Sequence, residues 1–138
     1  MSFLPVYIDS SALLKLALPE RETGALRSEL ARWPDWVTSR LTAVECRRAV
    51  RRAGGHQGLA ARVEHALACC TLLAIDETVL RLAETIGSAG LGSLDAIHLA
   101  SALSLGDDPA AFVVYDARLA AAARAADLKV ISPGGTQG

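Results

Sequence analysis

Short runs of β-branched and aromatic residues alternate with longer helical patterns along the whole chain, and this alternation most constrains its fold. Pro5 to Asp9 reads as a strand, Ser10 to Leu18 as a helix stopped by Pro19, and Glu22 to Trp33 as a helix with Leu26 and Leu30 on one face. Trp36 to Ser39 is a second predicted strand, Thr42 to Ala53 a helix ended by Gly54-Gly55, and Leu59 to Leu67 another helix. Thr71 to Ile75 reads as a third strand, Asp76 caps a helix to Ile86, and Ser93 caps a helix to Leu105 after a loop at Gly87 to Gly92. Beyond a turn at Gly106 to Pro109, Phe112 to Tyr115, Ala117 to Ala126 and Lys129 to Ile131 give strand, helix and strand. Helices of this length between strands imply right-handed crossovers. The expected fold class is therefore α/β: a single three-layer α/β/α domain with a five-stranded parallel sheet. It is expected over residues 1–132, with 133–138 as a flexible tail.

A chain of 138 residues buries about two-thirds of its unfolded surface, enough for a core without disulfides or a structural metal. Hydrophobic residues make up 51% of it and mean hydropathy is +0.30, which excludes disorder and suggests a further buried interface. Phe3, Tyr7, Trp33, Trp36, Phe112 and Tyr115 are scattered, unlike the aromatic platform of a base-stacking domain. Cys46, Cys69 and Cys70 have no zinc spacing, and the adjacent pair within an apolar run reads as buried, reduced thiols. No secretory signal is expected from Met1 to Asp9. The longest near-apolar stretch, Ala66 to Ile75, falls far short of the roughly 20 residues of a membrane helix. A cytoplasmic location is expected.

Four acids stand where chemistry gathers in such folds. Asp9 and Asp116 are the first polar side chains after predicted strands, and sites in open α/β sheets lie beyond the carboxyl ends of strands, at the switch in strand order. Glu45 and Asp95 fall in the first turns of helices. Each also has a plain structural reading. Asp9 and Asp116 suit N-caps, Thr42-x-x-Glu45 fits a capping box, and Asp95 complements a helix dipole. If the fold unites the four, their repulsion is relieved by a hard divalent cation such as Mg²⁺ or Mn²⁺, which keeps waters that a phosphate can replace.

Val6-Tyr-Ile-Asp-Ser-Ser-Ala-Leu-Leu14, Thr42-Ala-Val-Glu-Cys-Arg-Arg-Ala49, Leu94-Asp-Ala-Ile-His-Leu-Ala-Ser-Ala-Leu103 and Val113-Val-Tyr-Asp-Ala-Arg-Leu119 resemble the PIN domain. Their order and spacing are similar to its bacterial toxin branch, the VapC-type ribonucleases, over nearly the whole chain. The resemblance implies that Asp9, Glu45, Asp95 and Asp116 hold Mg²⁺ or Mn²⁺, with Ser11 at a small hydroxyl position beside them. One departure is Val114, where the family often has a hydroxyl two residues before the last acid.

The function so implied is metal-dependent endoribonuclease, the toxin of a type II toxin–antitoxin pair, in which metal-activated water attacks an RNA phosphodiester. Implied partners are the RNA substrate, a cognate VapB-type antitoxin in a hetero-oligomer, and a second copy in a homodimer, with no membrane. An antitoxin peptide carrying a basic residue is expected to reach Asp9, Asp95 or Asp116, its apolar side chains lying around Leu13, Leu14, Leu26 and Leu30.

Net charge is only −1, but without the four acids eleven acids face fourteen bases. Arg40, Arg47, Arg48, Arg51 and Arg52 crowd around Glu45. Arg48 and Arg52 share its helical face and are candidates for RNA-phosphate contacts; the plainer reading pairs Arg48 with Glu45. His98, one turn beyond Asp95, reads as a hydrogen-bonded structural histidine, with a general base as the alternative. Two rival functions differ in chemistry. A haloacid-dehalogenase-like phosphatase would use Asp9 as nucleophile but wants a second Asp where Ser11 stands. A non-catalytic PIN scaffold that binds RNA or protein would not need all four acids.

Overall fold

The computed structural model describes residues 4–106, 109 and 111–135. Its elements run β1 (Pro5–Ile8), α1 (Ser10–Ala17), α2 (Thr23–Leu30), β2 (Asp35–Ser39), α3 (Arg40–Arg52), α4 (Gln57–Ala68), β3 (Thr71–Leu73), α5 (Glu77–Ala83), α6 (Ser93–Leu103), β4 (Ala111–Val113), α7 (Ala117–Ala125) and β5 (Val130–Ile131). All four strand pairings are parallel, and the sheet order is β3-β2-β1-β4-β5. The α/β/α expectation therefore holds. From β1 the chain steps outward to β3, then crosses back to lay β4 on the other side of β1, which makes the β1–β4 edge the switch point.

The period of the strands divides the core in two. Val6, Ile8, Ala111 and Val113 face α1 to α4, with Leu13, Leu26, Leu30, Cys46 and Val63. Tyr7, Phe112 and Val114 face the other way and pack with Leu99 of α6 and Leu119 and Ala123 of α7. Leu91 joins this second core from the loop before α6. A Cβ on Gly87, whose φ is +75°, would stand 2.8 Å from Leu91 Cδ2, so this turn requires glycine.

Several local readings need correction. Helix α3 starts at Arg40, capped by Ser39 accepting from Leu41 N–H, so Thr42 heads no capping box. Its hydroxyl lies 2.6 Å from that of Thr38, which donates to the Ile8 carbonyl at 2.5 Å and ties β2 to the end of β1. Gly92, not Ser93, occupies the N-cap of α6. Helix α5 stops at Ala83, well before Ile86. Cys69 is exposed and Cys70 only half-buried, because the apolar run spans a helix end and a strand start. Of the tail, Pro133 accepts from the Tyr115 hydroxyl and Gly135 N–H donates to Ser132; residues 136–138 lie outside the described residues, as do Asp107 and Asp108 of the expected turn.

Candidate active site

Parallel strands end together, and two of them end here on an acid. Asp9 follows β1 directly and Asp116 lies just past β4, across the switch point, where Asp9 N–H bonds the Val113 carbonyl at 3.1 Å. Both also serve as N-caps: Asp9 Oδ1 accepts from Ala12 N–H at 3.0 Å, and Asp116 Oδ1 from Leu119 N–H at 2.9 Å. The capping reading and the site reading are thus compatible, since a cap occupies one carboxylate oxygen. Glu45 enters from α3 and Asp95 from the first turn of α6.

The four environments differ. Asp9 is 3% exposed, and burial pushes its pKa up to about 6. Bonds from Ala12 N–H and Ser11 and the proximity of His98 pull against that rise, while the charge of Glu45 adds to it. Asp95 is also shifted upward, first by burial and then by the charge of Asp116. At Glu45 burial acts upward too, but hydrogen bonds from His98 and Ser10 prevail and hold it below the usual carboxylate range. Asp116 is exposed. The charge of Glu45 thus acts on Asp9, and those of Asp116 and Glu45 on Asp95, so the fold brings the predicted quartet into one electrostatic neighbourhood.

Ser11 Oγ donates to Asp9 at 2.8 Å, beside the cluster as the resemblance implies. Ser10, which the sequence reading passed over, makes the more telling contact: its Oγ donates to Glu45 Oε1 at 2.8 Å. His98 Nε2 lies 2.7 Å from the same oxygen. Arg48 and Arg52 are exposed on α3, and Glu45 is engaged by Ser10 and His98 rather than by Arg48. Arg47 is drawn aside into a two-bond pair with Glu64, at 2.8 and 2.9 Å. Arg118, unremarked in the sequence, lies near enough to Asp95 for its charge to oppose the upward shift.

The donor set fits a hard cation. Among the described residues no three Asp, Glu, His or Cys side chains form a ready-made metal cage. Mg²⁺ does not need one, since it takes one or two carboxylates directly and keeps several waters. The quartet offers such oxygens: Asp116 Oδ2 and Glu45 Oε2 accept no hydrogen bond among the described residues. Cys46, behind Glu45, is no rival nucleophile, because burial and the nearby Glu45 and Asp9 charges push its thiol up to about 12. Asp76, the other acid after a strand, caps α5 through Val79 N–H.

The PIN domain family model matches residues 6–125. Ribonuclease VapC47 of Mycobacterium tuberculosis is 43% identical over 133 residues, covering 94% of this chain and 97% of the relative. Ribonuclease VapC46 of the same species is 41% identical over 128 residues, covering 93% and 97%. Among solved structures, VapBC2 from Rickettsia felis bound to a promoter DNA fragment superposes with a TM-score of 0.72 at 10% identity, covering 93% of this chain and 98% of that one. The chain belongs to the PIN-domain family, within its VapC ribonuclease branch.

Proposed function

We propose that this protein is a metal-dependent endoribonuclease and the toxin of a type II toxin–antitoxin pair. What supports the reading is the electrostatic coupling among Asp9, Glu45, Asp95 and Asp116 near the β1–β4 switch point, in a chain 43% identical to a VapC ribonuclease. These four residues would hold Mg²⁺ or Mn²⁺, which when bound lowers the pKa of water and stabilises charge on a phosphoryl group. Ser11 steadies Asp9, and Ser10 and His98 steady Glu45. Arg48 and Arg52 would seat the RNA backbone. The test is cleavage of total RNA by the purified protein, with product ends mapped by sequencing. Mn²⁺ or Mg²⁺ should switch cleavage on and a chelator should stop it. Turnover of small phosphomonoesters with intact RNA would instead favour the phosphatase reading.

The antitoxin partner follows from the same reading, with its docking surface elsewhere than first expected. Leu13, Leu26 and Leu30 are sealed in the core and cannot line a groove. The antitoxin's apolar side chains would instead lie in a trench of about 360 Å³ bordered by Leu16, Trp36 and Ala66, with Arg27, Arg62 and Cys69 at its edges. The partner's basic residue would enter the acidic cleft in competition with metal. Raising Mn²⁺ should therefore weaken inhibition, and changing that residue to alanine should restore cleavage before binding is lost. Inhibition indifferent to both changes would mean that the partner blocks RNA elsewhere. The expected homodimer could cover exposed apolar side chains such as Val44 on α3 and Leu94 on α6, 54% and 52% exposed. No described helix is long and apolar enough to cross a membrane, and we assign the protein to the cytoplasm.

A further inference from the structure

Behind Glu45 a chain of hydrogen bonds runs into the core. Tyr7 of β1 is fully buried, stacked on Phe112 with ring centroids 5.1 Å apart. Its hydroxyl lies 2.8 Å from His98 Nδ1, and the His98 ring, 2% exposed, stands edge-on to it. His98 Nε2 is in turn 2.7 Å from Glu45 Oε1, which also receives Ser10 Oγ at 2.8 Å. One arrangement of protons satisfies the whole chain. The Glu45 carboxylate only accepts, so Nε2 carries the proton that faces it, and with the ring neutral Nδ1 accepts from the Tyr7 hydroxyl. Burial holds that hydroxyl protonated by raising its pKa.

We propose that His98 is a positioning residue: backed by Tyr7 and assisted by Ser10, it fixes Glu45 through Oε1 so that Oε2 is presented to the cation. A glutamate side chain has three rotatable bonds and would otherwise sample many poses. Two donors on one oxygen select a pose and leave the other oxygen uncommitted. The placement of the partners makes this economical. His98 lies one turn along α6 from Asp95, while Tyr7 and Ser10 flank Asp9, so the segments that carry two of the other acids also orient the third. The inference rests on the metal-dependent reading above.

Calorimetric titration of the purified protein with Mn²⁺ tests it without recourse to cleavage. H98L should weaken Mn²⁺ binding by about 10- to 100-fold, while H98Q, whose amide can donate from nearly the same place, should recover most of the loss. Equal affinities for H98L and the unaltered protein, or H98Q no better than H98L, would overturn the proposal. Should H98L fail to fold, Y7F and S10A decide, since each keeps the ring and removes one hydroxyl. Each is expected to weaken binding by about 3- to 10-fold, and unchanged affinity in both would count against a positioning role. Nitrogen-15 shifts of the metal-free protein give an independent readout: His98 should be protonated on Nε2, and an Nδ1–H tautomer would refute the geometry. If the unaltered protein binds no Mn²⁺, the metal-dependent reading fails with the proposal; if it binds and H98L binds equally, only the proposal fails.

Discussion

Asp95→Asn is expected to lower metal-stimulated RNA cleavage by about a thousandfold, and Asp9→Asn by a similar factor. Several kcal/mol of charge stabilisation from a cation correspond to a rate factor of about 10³, and an amide gives up the negative charge that retains the ion. Neither change should disturb the fold. Asp95 makes no capping bond at the start of α6, and an asparagine at position 9 can still accept from Ala12 N–H as a cap. Full-length RNA cleavage assays, checked by circular dichroism, measure both variants. Undiminished cleavage in both would displace these acids from the reaction.

The second large effect has the opposite sign. Burial pushes the pKa of Asp9 up to about 6 in the folded chain, against about 3.9 for an ordinary aspartate, so the folded state holds its proton over a window in which the unfolded state has released it. Stability is therefore greatest below the lower value, falls as pH rises through the window, and stays reduced above the upper value. A shift of about two units corresponds to at most about 3 kcal/mol. Without metal at pH 7.5, Asp9→Asn should thus raise the melting temperature by several degrees, although the same change lowers metal-stimulated cleavage. At pH 4 the difference should shrink. Added Mn²⁺ should stabilise the unaltered protein and leave the variant unmoved. Differential scanning calorimetry at the two pH values measures this, and a metal-free variant that melts below the unaltered protein at pH 7.5 would contradict it.

Asp9 and Asp116 were legible in the sequence because a strand ending on an acid is a local pattern, and parallel strands end on one side of a sheet. The environment of Glu45 was not. Helix rules offered Arg48 three residues on, whereas its principal partner, His98, lies 53 positions away. Thr42 misled for a related reason: a capping pattern matches by spacing, but Ser39 had already capped the helix and left the threonine hydroxyl to bridge inward to Thr38. Ser10 and Ser11 are adjacent and chemically alike, and only the start of α1 sends one to Glu45 and the other to Asp9. Leu13, Leu26 and Leu30 show the limit of reading a helix face. Apolar spacing marks which side is buried, not whether the core or a partner covers it.

The strand order also governs when activity can arise during synthesis. Asp9, Glu45 and Asp95 are translated in that order, yet β1 gains its second neighbour only when β4 is made, just before Asp116. Domains generally fold as units as they are made. A growing chain, or one truncated before β4, has three of the acids but neither the strand that flanks Asp9 nor the fourth carboxylate. On the proposed reading, a chain released before β4 is therefore an incomplete nuclease, with no finished cleft in which to cleave RNA.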